Sequence, residues 1–273
     1  MIDLLNALLL QITTPPAVSG DSLKFDTGAS GTINGTVLTT LFEICASVAM
    51  SLTLIYFLIE MNRRFVFEAS DTTLKTVFVP FLKLLAALGL ISYAKDIAVE
   101  AMNIFNSMVD KVSQDVYEDI DAVTLSGLGL IASAFIFLPL LLVWLVSLVV
   151  EIAYWYKAIG FKLEFFFRAA VTPIAMADIY NDFSSGSVRW IKGLFAFGLY
   201  GLAFMILPAL CNDLVAEIAG VQSVADAAAD LESDTIGNMW NFIKALIGGL
   251  LAPIAALGTL SAVKQLTKEA VGG

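Results

Sequence analysis

Five long apolar segments, bordered alternately by basic and by acidic connections, limit what this chain can fold into. They run from 37 to 59, 76 to 94, 125 to 150, 191 to 210 and 242 to 263. Crossing a hydrocarbon core of about 30 Å takes about 20 mostly apolar residues, and each segment is near that length. A soluble domain of 273 residues, 59% of them hydrophobic and 15% charged, could not hide so much apolar surface. Lipid supplies the missing interior. In lipid the backbone must satisfy its own hydrogen bonds, so the segments are expected to be helices. Short alternating strands, the mark of a membrane barrel, do not occur. The predicted class is an all-α, polytopic helical membrane protein with about five transmembrane helices plus amphipathic and interfacial ones.

Charge in the connections predicts direction, because cytoplasmic loops are enriched in Lys and Arg. Arg63, Arg64 and Lys75 follow the first segment. Lys157, Lys162, Arg168, Arg189 and Lys192 separate the third and fourth, and Lys264 and Lys268 close the chain. Those ten of the 15 basic residues fall on one predicted side. Most acidic residues fall on the other, and the stretch 212–241 has no Lys or Arg. The expected layout is an extracytoplasmic segment 1–36, a single helical domain 37–263 and a cytoplasmic tail 264–273. Within the domain, 95–121 is an outer amphipathic segment, 151–190 a cytoplasmic interfacial one and 212–241 an outer acidic loop. The N-terminus is then outside and the C-terminus in the cytoplasm. The acidic outer face argues against nucleic acid there, since phosphates would be repelled.

Smaller features refine this layout. Residues 1–11 are apolar without a basic start, which suits an amphipathic or packing helix better than a cleaved signal. The stretch 95–121 repeats apolar residues at spacings of three and four, from Ile97 through Phe105 to Val116. Residues 151–168 mix aromatic side chains with cations, a pattern of membrane interfaces. Pro80, Pro139, Pro173, Pro208 and Pro253 are expected to kink helices, Pro173 bending or breaking the third. Clustered Gly and Ala, including Gly198, Gly201, Gly248 and Gly249, would let helices approach closely. Cys45 and Cys211 read as separate packing residues.

Charge at membrane depth is costly and often functional. Three groups qualify: Glu43, Lys83 and Lys244. Glu43 and Lys244 are expected to pair between the first and fifth helices, within or between subunits. Lys83 can instead snorkel to the cytoplasmic side. Lys157, Lys162, Arg168, Arg189 and Lys192 are expected to form a basic rim on the cytoplasmic side. Catalysis is not expected: there is no histidine, so His-dependent nucleophiles and the HExxH zinc site are excluded. Two distant cysteines do not suggest a metal site. No catalytic residue, metal or cofactor is assigned.

The stretch from Phe165 to Leu210 carries a resemblance. It holds Arg168, then Pro173 and Ile174, a polar turn at Ser184 to Ser187, Trp190 and a hydrophobic helix. With the second segment, FVPFLKLLAALGLISYAKDI, and the overall layout, it resembles the TrbL-like polytopic inner-membrane subunit of type IV secretion and conjugation systems. The resemblance implies a structural channel or scaffold subunit in a bacterial or archaeal cell membrane. It implies partnership with the machine's other membrane subunits and ATPases, transient contact with DNA or protein substrate, pilus assembly, and a homo-oligomeric ring. An unrelated pore or scaffold protein, or a small-solute transporter, would share the layout without that block.

Overall fold

A computed structural model describes residues 2–13, 23–25, 33–67, 74–117, 130–180, 186–220, 222–233 and 235–270. Among them there is no strand. Seven helices follow in order: α1 (Ile2–Thr13), α2 (Ile33–Phe67), α3 (Leu74–Tyr117), α4 (Leu130–Ala177), α5 (Gly186–Ala219), α6 (Val224–Ser233) and α7 (Thr235–Ala270). A 3-10 turn, Asp178–Tyr180, follows α4. α2, α3, α4, α5 and α7 are long and apolar enough to cross a membrane. The chain is a multi-pass helical membrane protein.

Every crossing helix outruns its predicted span. The expected outer segment 95–121 is, as far as Tyr117, the continuation of α3. Its apolar face is buried at Ala98, Ala101, Met102, Phe105 and Val109. The expected interfacial segment 151–190 is divided between α4, the 3-10 turn and α5. The expected outer loop 212–241 is almost wholly helical. Gly220, at φ +58°, ends α5 in the left-handed conformation that glycine adopts freely. Ser223 then caps α6: its hydroxyl accepts from the Asp226 amide at 3.0 Å and donates to the Asp226 carboxylate at 2.8 Å. Loop composition hid these helices because acidic, alanine-rich VADAAADLES forms a good capped helix. Residues 125–129, the start of the predicted third span, lie outside the described residues.

All five expected kink prolines lie inside unbroken helices. Pro173 does not end α4, which continues to Ala177. One lost backbone bond is tolerated where the surrounding helices hold the segment.

The chain divides into two compact units. The first comprises Met1–Leu23, Met108–Gly160 and Tyr200–Gln265. Its core joins Leu5 and Leu9 of α1, Ile136, Leu140 and Val143 of α4, Ala227, Ala228 and Leu231 of α6, and Phe242, Ala245 and Leu246 of α7. The packing role expected of the N-terminal helix holds. Asn238 donates to the Asp230 carbonyl at 2.9 Å and ties α7 to α6.

The second unit comprises Lys24–Ser107, Phe161–Leu199 and Leu266–Gly273. Here α2 and α3 run antiparallel. Ala49 shares a cluster with Ile91 and Ala94, while Tyr56 and Phe57 pack with Leu84 and Ala87. The end of α4 runs antiparallel to α3: Phe105 meets Phe161 and Phe165, and Ile91 meets Met176. The start of α5 folds back on α4. Trp190 donates to the Thr172 hydroxyl at 3.3 Å and Ser187 to the Ala175 carbonyl at 2.9 Å. Gly198 sits against Phe105 and Phe165, but a Cβ there would lie 3.7 Å from each ring, an ordinary contact. Close approach therefore does not require this glycine. Gly198→Ala should be neutral or stabilising by up to about 1 kcal/mol, the helix-interior cost of glycine, read as the melting temperature in detergent.

One sidedness assignment fails on this geometry. Phe25 and Phe105 were expected outside, and Phe161 and Phe165 in the cytoplasmic segment. The Phe105 and Phe161 ring centroids are 5.7 Å apart, and those of Phe25 and Phe165 4.7 Å. Rings that touch cannot face each other across a core of about 30 Å. Phe25 and Phe105 therefore share a level with Phe161 and Phe165, at the start of the supposed interfacial segment. The physical reason is that α4 stays apolar through 48 residues, so hydropathy cannot say where along it the bilayer lies.

Candidate functional site

Two polar constructions mark opposite ends of the second unit. Along α3 they lie at Lys83 and at Phe105–Asn106, about 33 Å apart at 1.5 Å per residue. That is close to one hydrocarbon core, about 30 Å.

The first is a charged clasp. Glu60 and Arg64 lie one turn apart on α2, and the Arg64 guanidinium donates twice to one Glu60 oxygen, at 2.6 and 3.1 Å. The Lys83 ammonium of α3 lies 3.9 Å from the same oxygen. It also sits over the ring of Tyr180, 5.9 Å from the centroid. Tyr180 is buried against Leu84 and Ala87. Its hydroxyl is buried beside the Glu60 carboxylate without a well-directed hydrogen bond. One carboxylate shared by two cations thus joins α2 to α3 and seats the turn between α4 and α5.

The second is an aromatic clamp on the N-terminal strand of chain. The Asn106 amide accepts from the Phe25 N–H and donates to the Phe25 carbonyl, both at 2.8 Å. It completes a backbone as a neighbouring strand would. The Phe25 ring is wedged among Phe105, Phe161 and Phe165. Lys162 reaches over that ring and donates to the Lys24 carbonyl at 2.8 Å.

The residues singled out from sequence are distributed as follows. Lys83 has partners, Glu60 and Tyr180, and does not act alone. Glu43 is exposed on α2 in the second unit. Lys244 is exposed on α7 in the first unit, with its ammonium over Trp240 of the same helix. The structure gives their expected pairing no support. Of the basic rim, Lys157 belongs to the first unit, where it donates to the Leu257 carbonyl at 3.2 Å. Lys162 serves the clamp. Arg168 pairs with Glu164 at 2.9 Å and lies over Phe197. Arg189 and Lys192 are exposed. Three of the five cations are therefore tied inward. Cys45 and Cys211 are free thiols in separate units.

Sequence reasoning missed Glu60, Tyr180, Phe25 and Asn106. The Glu60–Arg64 spacing of four was visible and is a known helix pairing. Asn106 interrupts an apolar face, which was also a signal. Nothing in the sequence linked Phe25 to residues 80 or more positions away.

No family model matches this chain, and no curated protein or solved structure is similar to it.

Proposed function

We propose that this chain is a structural membrane subunit of a type IV secretion or conjugation machine, forming part of the path by which DNA or protein leaves the cell. One observation carries the reading. Within the block that resembles the TrbL-like subunits, the end of α4 and the start of α5 pack on each other, with Arg168, Pro173, Ser187 and Trp190 at or beside the contacts. Trp190 bonds Thr172, Ser187 bonds Ala175, Pro173 is buried, and Arg168 lies over Phe197. Lipid is the first partner, and the machine's other membrane subunits and ATPases are the next. The protein acts without a cofactor and does no chemistry on its substrate. It resides in a prokaryotic cell membrane, with the Arg63–Arg64 end of α2 cytoplasmic and the Phe25 end outside.

Deletion of the gene should reduce plasmid transfer or effector export at least a hundredfold, and the wild-type gene in trans should restore it. The same strain should retain small-solute uptake. Normal transfer in the deletion would remove this reading. Loss of uptake of one solute, with transfer intact, would favour a transporter.

A further inference from the structure

We infer that the junction of α2 and α3 at Arg63, Arg64 and Lys83 binds the headgroup phosphate of a phospholipid with net negative charge. The site follows from charge that the protein leaves uncompensated. Three cations gather there against one carboxylate, Glu60. Arg64 holds that carboxylate through two bonds. Lys83 stands 3.9 Å from the same oxygen, too far for a hydrogen bond, and its side chain is 35% exposed. The Tyr180 ring near its ammonium supplies no charge. Arg63 follows Glu60 by three residues, on the same side of α2. It is exposed and has no partner among the described residues. Asp178, on the turn that carries Tyr180, is exposed and joins no ion pair. Among the described residues, two positive charges of the junction are therefore left over.

The depth of these cations is that of lipid phosphates. On α2 the exposed charges among the described residues are Glu43 and Arg63. They are separated by about 30 Å at 1.5 Å per residue, the thickness of one hydrocarbon core. Leu58 and Ile59 are exposed just inside Arg63, and Phe78, Phe81 and Leu82 on the neighbouring stretch of α3. Phe65 and Val66 are exposed just beyond it. They rise about 3 and 5 Å further, still within a headgroup layer of about 5–8 Å. The cations thus interrupt an apolar surface. Surplus charge in such surroundings is costly unless an opposite charge meets it.

A headgroup phosphate supplies that charge. Its oxygens accept from guanidinium and ammonium donors in short, charge-assisted bonds. Arg64 is already turned to Glu60, so Arg63 and Lys83 are the direct contacts and Arg64 adds charge. Basic pockets between membrane helices select anionic headgroups in this way. A zwitterionic headgroup brings its own cation and leaves the surplus standing. The exposed apolar side chains beside the cations give acyl chains a surface. Inorganic phosphate shares the oxyanion chemistry but gains nothing from those side chains. The inference rests on the multi-pass character of the chain and not on the secretion reading.

The test offers the purified full-length protein equal amounts of phosphatidylglycerol and phosphatidylcholine with the same acyl chains, and counts bound lipid by native mass spectrometry. Phosphatidylglycerol should be retained in preference. Arg63→Gln and Lys83→Gln should each weaken that preference about fivefold, the loss of one cation beside an anionic headgroup. Lys95→Gln, at an exposed position further along α3, should leave it unchanged. Arg63 is exposed and unpaired, so its variant should also keep the wild-type melting temperature. Millimolar inorganic phosphate should leave the lipid bound. Equal retention of the two lipids, or equal losses in Arg63→Gln and Lys95→Gln, would overturn the site. Release of phosphatidylglycerol by inorganic phosphate would overturn the lipid as its ligand.

Discussion

Replacing Glu60 with Leu should lower the melting temperature of the detergent-purified protein by about 4–8 °C, equivalent to about 2 kcal/mol at this chain length. The carboxylate is the one acceptor shared by Arg64 and Lys83. Bonds to charged groups contribute about 1.5–3 kcal/mol each, less where water reaches them, as it does here. Without Glu60 two cations face each other at the junction of α2 and α3, and the Tyr180 turn loses its seat. Tyr180→Phe is the informative companion. It removes a buried hydroxyl that has no well-directed bond, so stability should be unchanged or slightly higher. A Tyr180→Phe loss as large as that of Glu60→Leu would show that the hydroxyl is a member of the clasp. A Glu60→Leu protein as stable as wild type would show that the clasp contributes nothing.

Asn106→Leu should release the N-terminal segment. Both backbone groups of Phe25 would lose their partner inside an aromatic cluster, at about 1–3 kcal/mol for each unsatisfied group. The expected readout is tryptic cleavage after Lys24 at least tenfold faster than in wild type, because the Lys24 carbonyl is held by Lys162 in the same clamp. Asn106→Asp keeps the acceptor for the Phe25 N–H and loses the donor for its carbonyl. Its cleavage rate should fall between the two. Equal rates in all three proteins would mean that the ring contacts of Phe25 suffice without Asn106.

The helical class and the number of crossing helices were legible in sequence for a simple reason. In lipid, an apolar run of sufficient length has few alternatives to a helix, whatever its neighbours. The packing helix at the N-terminus and the inward face of 95–121 were legible too, because periodicity states which side of a helix is buried. Lys83 could be singled out because a charge among apolar residues needs a partner. Its partners could not be found that way. Glu60 belongs to another helix, and Tyr180 lies almost a hundred residues away, so the contact depends on how helices are paired.

The assignment of Phe105 and Phe161 to opposite sides failed at the same boundary between local and tertiary information. Loop charge is counted residue by residue, and it treats Lys157 and Lys162 as solvated. Packing instead ties each to a backbone carbonyl, of Leu257 and of Lys24, and places Phe161 against Phe105. By itself the sequence determined that this chain is a set of long membrane helices, because burial in lipid is a property of each segment. Only the tertiary structure decided which stretch of each helix meets which, because a helix that is apolar over 48 residues can slide against its neighbours until specific polar and aromatic contacts stop it.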